Sequence, residues 1–96
     1  MITRPYDLDA MPTYEHIHAT VPPTLVPPAA LGPTQPMLDL ARLLAIHHGQ
    51  PPEGPDPYPH VAAYNSGLWV HNGHHRWVVA LLGGDPTIAV RIARVT

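Results

Sequence analysis

The sequence predicts a small α+β domain with a mixed sheet and packed helices. Three observations carry that prediction. Segments alternating with period two are interleaved with segments of helical spacing, in the order strand, helix, hairpin, helix, strand. Turn residues punctuate them at Asn65-Ser66-Gly67, Asn72-Gly73 and Gly83-Gly84-Asp85-Pro86. The length of 96 residues suits one modest core, without internal repeat or second domain. The expected organisation is an arm over residues 1–13 and one domain over 14–96, with a proline-rich loop at 50–59.

In chain order, YEHIHATV (14–21) alternates weakly and is expected as a first strand. Ile17, Ala19 and Val21 would face the core; His16 and His18 would share the other face with Tyr14 as surface histidines or a metal pair. Pro22-Pro23 and Pro27-Pro28 flank Thr24-Leu25-Val26, which excludes that stretch from a central strand. Ala29-Ala30-Leu31 suits a helical turn. Residues 36–47 read as a helix: Pro36 fits its first position, Asp39 its first turn, and Leu40, Leu43 and Leu44 its apolar face. The run QPPEGPDPYP (50–59) admits neither regular helix nor internal strand.

HVAAY (60–64) and Leu68-Trp69-Val70 form a predicted antiparallel hairpin. After Asn72-Gly73 the spacing turns helical from His74. Trp77, Ala80 and Leu81 would share one face, with Val78 and Leu82 beside it. Thr87 to Val95 alternates well, with Ile88, Val90 and Ile92 on one side and Arg91 on the other.

The segment from Leu68 to Leu82 concentrates the chemistry. A strand feeds a glycine turn, and the turn feeds a helix whose first N–H groups have no intrahelical acceptor. Those groups and the helix dipole favour an anion, and Arg76 adds a fork of donors. A phosphate or carboxylate site at residues 73–76 follows. The alternative is a glycine that only turns the chain.

GHHRWVVAL, with Gly73, His74, His75, Arg76 and then Ala80, resembles the glycine-arginine segment of the ParB/sulfiredoxin superfamily. Small members carry a DGHHR-type motif here, whose aspartate is replaced by Asn72. LGPTQP (31–36) resembles the segment that opens the first helix of such domains, and the closing strand falls where the family places one. The resemblance spans roughly residues 14–95. It implies that the motif contacts the phosphates of a nucleotide, ATP or CTP with magnesium, and that Asn72, Gly73, His74, His75, Arg76 and Gln35 line the cleft. Sulfiredoxin activity is excluded, because that family carries a motif cysteine and this chain has none. Full ParB activity is not expected, because 96 residues leave no room for the DNA-binding domain.

Composition narrows the classes further. Net charge is −2 and 12% of residues are charged, which is no basic footprint for direct DNA binding. Without cysteine there is no disulfide or thiol chemistry. No apolar run approaches a membrane span and no signal-peptide order opens the chain, so a cytoplasmic location is expected. The eight histidines show no zinc-finger spacing, and no tight structural zinc is expected. Phosphotransfer would require a metal and a proton acceptor, for which Glu53, Asp56, His60 and His71 are the candidates. A metal-dependent nuclease would need carboxylates, and Asn72 stands in the acidic position. The opposing class is a non-enzymatic protein-interaction module, a phage or mobile-element regulator that keeps the fold. Its anchors for a larger protein partner would be Tyr58 and Trp69.

Overall fold

A computed structural model describes residues 5–34 and 56–95. The helix expected at 36–47, Gln35, Glu53 and the first part of the proline-rich run lie outside the described residues. The described part holds two α-helices and a five-stranded mixed sheet. In chain order these are α1 (Tyr14–Thr20), β1 (Thr24–Val26), β2 (Leu31–Pro33), β3 (His60–Tyr64), β4 (Gly67–Asn72), α2 (His74–Leu82) and β5 (Ile88–Arg94). Single 3₁₀ turns sit at Leu8–Ala10 and Pro28–Ala30. Among the described residues no helix is long and apolar enough to cross a membrane.

The strand order is β1-β5-β3-β4-β2. β1–β5 and β3–β4 are antiparallel, whereas β3–β5 and β2–β4 are parallel. β1, between its proline pairs, lies at an edge, where missing N–H donors cost no ladder bonds. β3 is central, and its adjacent Val61 and Ala62 are both fully buried, one on each face. Asn65 and Ser66 take positive φ (51° and 65°), closing the tight β3–β4 hairpin in the sense that matches strand twist.

Each face of the sheet carries its own core. On one side α2 and the Pro28–Ala30 turn cover Leu31, Val61, Val70, Ile88 and Val90, with Trp77 and Ala80 reaching down. The Trp77 Nε1–H donates to Pro28 O at 2.8 Å and ties the helix to that turn. Ile88 and Val90 are buried as their alternation predicts, and Ile92 packs against the same cluster. On the other side Ile17 of α1 packs with Tyr6, Met11, Ala62, Ala93 and Val95. The segment read as a loose arm thus places Tyr6 and Met11 in the core.

Two expectations are corrected. Residues 14–20 are helical, not a strand. The Thr13 hydroxyl accepts from His16 N–H at 3.2 Å, and Glu15 sits in the first turn. This cap outcompetes the weak alternation. Helical spacing buries Ile17 and puts His16 and His18, both exposed, on different sides of the helix, with His18 reaching Asp56, so the two histidines do not form a strand-face pair. In α2 the buried residues are His74, Trp77 and Ala80. Leu81 and Leu82, expected on or beside the core face, are 41% and 75% exposed: they form the last turn of α2, beyond Ala80, the last residue of the helix in the core cluster.

Candidate anion-binding site

Gly73 joins β4 to α2 at φ 93°, ψ 29°, the left-handed region. Only glycine adopts this freely. A second constraint is steric: a Cβ on Gly73 would lie 2.9 Å from Pro59 Cβ and 3.0 Å from Pro59 Cα. The first helical bond runs from Trp77 N–H to Gly73 O at 3.1 Å. The amides before it lie outside the helical ladder, and Gly73 has no side chain to cap them. No acidic residue occupies the first turn.

His74, the first helical residue, is 2% exposed. Its Nε2 accepts from the Thr34 N–H at 2.9 Å. Thr34, immediately after β2, also donates its hydroxyl to Val70 O at 2.8 Å. Because Nε2 is an acceptor, the neutral ring carries its proton on Nδ1. Among the described residues neither that buried Nδ1 nor the buried Arg76 Nε has a hydrogen-bond partner. Burial first, then the charges of His75 and His71, push the His74 pKa down to about 4, so the ring is neutral at physiological pH. Two buried donors therefore have no acceptor among the described residues, beside an uncapped helix start, whereas most buried polar groups in folded proteins are paired.

Gly73, His74, His75 and Arg76 form the turn and first helical turn, with His75 and Arg76 half-buried. Asn72 is exposed at the end of β4. Gln35 lies outside the described residues. Tyr58 is half-buried, with the Arg91 guanidinium 5.0 Å above its ring. Trp69 packs against the α1-side core, and its Nε1–H donates to Tyr64 O at 3.4 Å. Thr34 belongs to the site and was not legible in sequence as a partner of His74, since forty positions separate them.

The acid–base candidates Asp56 and His60 lie together on the α1 face. The Asp56 side chain is fully buried, and its Oδ2 accepts from His60 Nε2 at 2.7 Å, Arg91 Nε at 2.7 Å and His18 Nδ1 at 2.9 Å. Its Oδ1 accepts from Tyr58 N–H at 3.1 Å. Burial alone would raise the Asp56 pKa; hydrogen bonds from His60, His18, the Tyr58 amide and Arg91 outweigh it and hold the carboxyl well below the usual carboxylate range. The carboxylate's acceptor positions are occupied by this protein's own donors, an arrangement for holding chain segments rather than for taking a substrate proton. His71, the other candidate, pairs through Nδ1 with the Tyr6 hydroxyl at 2.7 Å. Among the described residues no group of three or more His, Asp or Glu is placed to hold a metal ion.

Comparison with known proteins bears on both fold and family. A free serine kinase variant in complex with AMP superposes with a TM-score of 0.62 at 20% identity, over 95% of this chain and 35% of the kinase. A second variant of that kinase, in complex with ADP, gives 0.60 at 19% identity, over 95% and 36%. Sulfiredoxin from Arabidopsis thaliana gives 0.57 at 18% identity, over 75% of this chain and 86% of that one. The chain thus spans about a third of the kinase's length. At these identities the likeness establishes the fold, a sulfiredoxin-like α+β domain. No curated protein matches the sequence. The family model described as "Antitoxin VapB-like" matches residues 2–96, and the chain belongs to that family.

Proposed function

We propose that the turn from Asn72 to Arg76 binds a phosphate-bearing anion, and that the anion is part of a nucleotide. The observation that carries this reading is the pair of buried donors without acceptors, His74 Nδ1–H and Arg76 Nε–H, at an uncapped helix N-terminus entered through a left-handed glycine. Leaving such donors unpaired costs about 1–3 kcal/mol each, a cost that an acceptor-rich ligand removes. A phosphate offers several acceptor oxygens at once, and Arg76 supplies the charge. The AMP- and ADP-bound structures of similar fold support a nucleotide over bare phosphate. ATP or CTP with magnesium is the form to test, with Gln35 as a further contact. Amide chemical shifts followed during titration with ATP, CTP, GTP and inorganic phosphate, with and without magnesium, test the reading. Saturable shifts centred on Gly73 to Arg76 are expected; shifts scattered over the surface, or none, would overturn it.

A second reading rests on the family match. An antitoxin-like module would act by binding a larger protein, with or without a nucleotide. Tyr58 and Trp69 are its proposed anchors, each offering a half-buried ring. Affinity purification from the native host separates the two. A specific partner lost on Tyr58→Ala or Trp69→Ala favours this reading, and saturable nucleotide binding with no partner favours the first.

A further inference from the structure

The strand face opposite the anion turn carries a buried carboxylate whose role the anion site does not by itself explain. Asp56 gathers donors from three other segments: His18 on α1, His60 on β3 and Arg91 on β5. Its own N–H donates to the Tyr14 hydroxyl at 3.0 Å. Arg91 extends the network, donating from its guanidinium to Val21 O just after α1 and lying over the Tyr58 ring. Tyr14 stacks on His60 with ring centroids 4.5 Å apart.

Two of the three residues between Asp56 and His60 are proline: the run reads Asp56-Pro57-Tyr58-Pro59-His60. Prolines fix φ, so a displacement of one end is not absorbed between them. The run is held at each step. Tyr58 N–H bonds Asp56 Oδ1, Pro59 O accepts Arg91 N–H at 2.9 Å, and His60 returns to Asp56 Oδ2. Pro59 is buried and is the residue against which Gly73 rests, with no room for a Cβ between them. The β3–β4 register also shifts at His60/Val61, next to this contact.

We infer that Asp56 is a positioning residue for the anion site: gripped by His18, His60 and Arg91, it fixes Pro59 under Gly73 and thereby sets the orientation of the first turn of α2. The inference rests on the anion-site reading for its function, but the coupling from Asp56 to Gly73 exists with or without a ligand. The electrostatic reason for a carboxylate is the convergence of three nitrogen donors on one oxygen. Asn at position 56 would offer one carbonyl oxygen and no charge, and the Pro57-Tyr58-Pro59 run would lose its anchor.

The test has a ligand-free arm and a ligand arm. In the ligand-free protein, Asp56→Asn should displace the Gly73 and His74 amide resonances, while the Asn65 and Ser66 amides of the far β3–β4 turn keep theirs. With ATP as probe, Asp56→Asn should weaken affinity by about tenfold or more, since small misplacements of a binding group have large effects. Asp56→Glu, which keeps the charge, should recover part of the loss; a purely bulk-stability role would not discriminate the two variants at a temperature where both are folded. If Asp56→Asn does not fold, His18→Ala removes one exposed-side partner and should give the same displacements at smaller amplitude. Unchanged Gly73 and His74 resonances in a folded Asp56→Asn or His18→Ala protein would overturn the coupling. Absence of binding of ATP, CTP, GTP and inorganic phosphate alike by the unmodified protein would instead overturn the anion reading, and the amide displacements would still decide the coupling.

Discussion

The Thr34 amide donates to His74 Nε2 at 2.9 Å, binding the end of β2 to the start of α2. Thr34 secures the same junction a second time through its hydroxyl on Val70 O. Thr34→Val keeps the volume and the amide bond but removes the hydroxyl and leaves the Val70 carbonyl short of a partner. A loss of about 1–3 kcal/mol in chemical denaturation is expected.

The low pKa of His74 makes stability pH-dependent in a definite direction. In the unfolded chain the ring titrates near 6.5, in the folded chain near 4, so the unfolded state binds the extra proton between those values. The contribution is full above pH 6.5 and is lost as pH falls toward 4; the shift corresponds to roughly 3 kcal/mol. Melting temperature should fall over this window, and His74→Gln, which does not titrate, should flatten the slope. Asp56 acts at lower pH: its depressed pKa gives stability present above about pH 4 and lost below it.

Gly73→Ala meets two obstacles at once, a φ of 93° and Pro59 Cβ at 2.9 Å from the new methyl carbon. Backbone strain of this kind costs about 1–3 kcal/mol, and Pro59 has no flexible end to move aside. The variant should melt earlier and bind anion more weakly. Gly84→Ala, also at positive φ (72°) but with open space around it, isolates the backbone part of the effect.

Trp77→Phe removes the Nε1–H bond to Pro28 O and part of a ring packed in the α2-side core. A loss of about 1–3 kcal/mol is expected, measured by denaturant unfolding.

Much of the fold was legible because its signals are local. The Asn65-Ser66-Gly67 turn, the alternation of Ile88, Val90 and Ile92, and the glycine before α2 each report on neighbours a few residues away. The stretch 14–21 is ambiguous because two periods fit it. Ile17, Ala19 and Val21 satisfy a strand; Tyr14, Ile17, His18 and Val21 satisfy a helix, and the Thr13 cap that decides between them lies just outside the window. The site divides along the same line. The turn and Arg76 could be read from sequence, whereas Thr34 on His74 and the convergence of His18, His60 and Arg91 on Asp56 depend on contacts made only after the sheet assembles. Helical spacing puts Leu81 on the core face and Leu82 beside it, but how far along the helix the sheet's cover extends is a tertiary fact that spacing does not carry, and the cover ends at Ala80.

Arg76 and the first turn of α2 are the proposed phosphate site. Calorimetric titration of the unmodified protein and of Arg76→Ala with ATP, CTP and inorganic phosphate decides whether they bind one. Saturable binding by the unmodified protein, weakened by about 1.5–3 kcal/mol in a folded Arg76→Ala variant, is the predicted result. No binding below the millimolar range, or equal binding by both proteins, would contradict it.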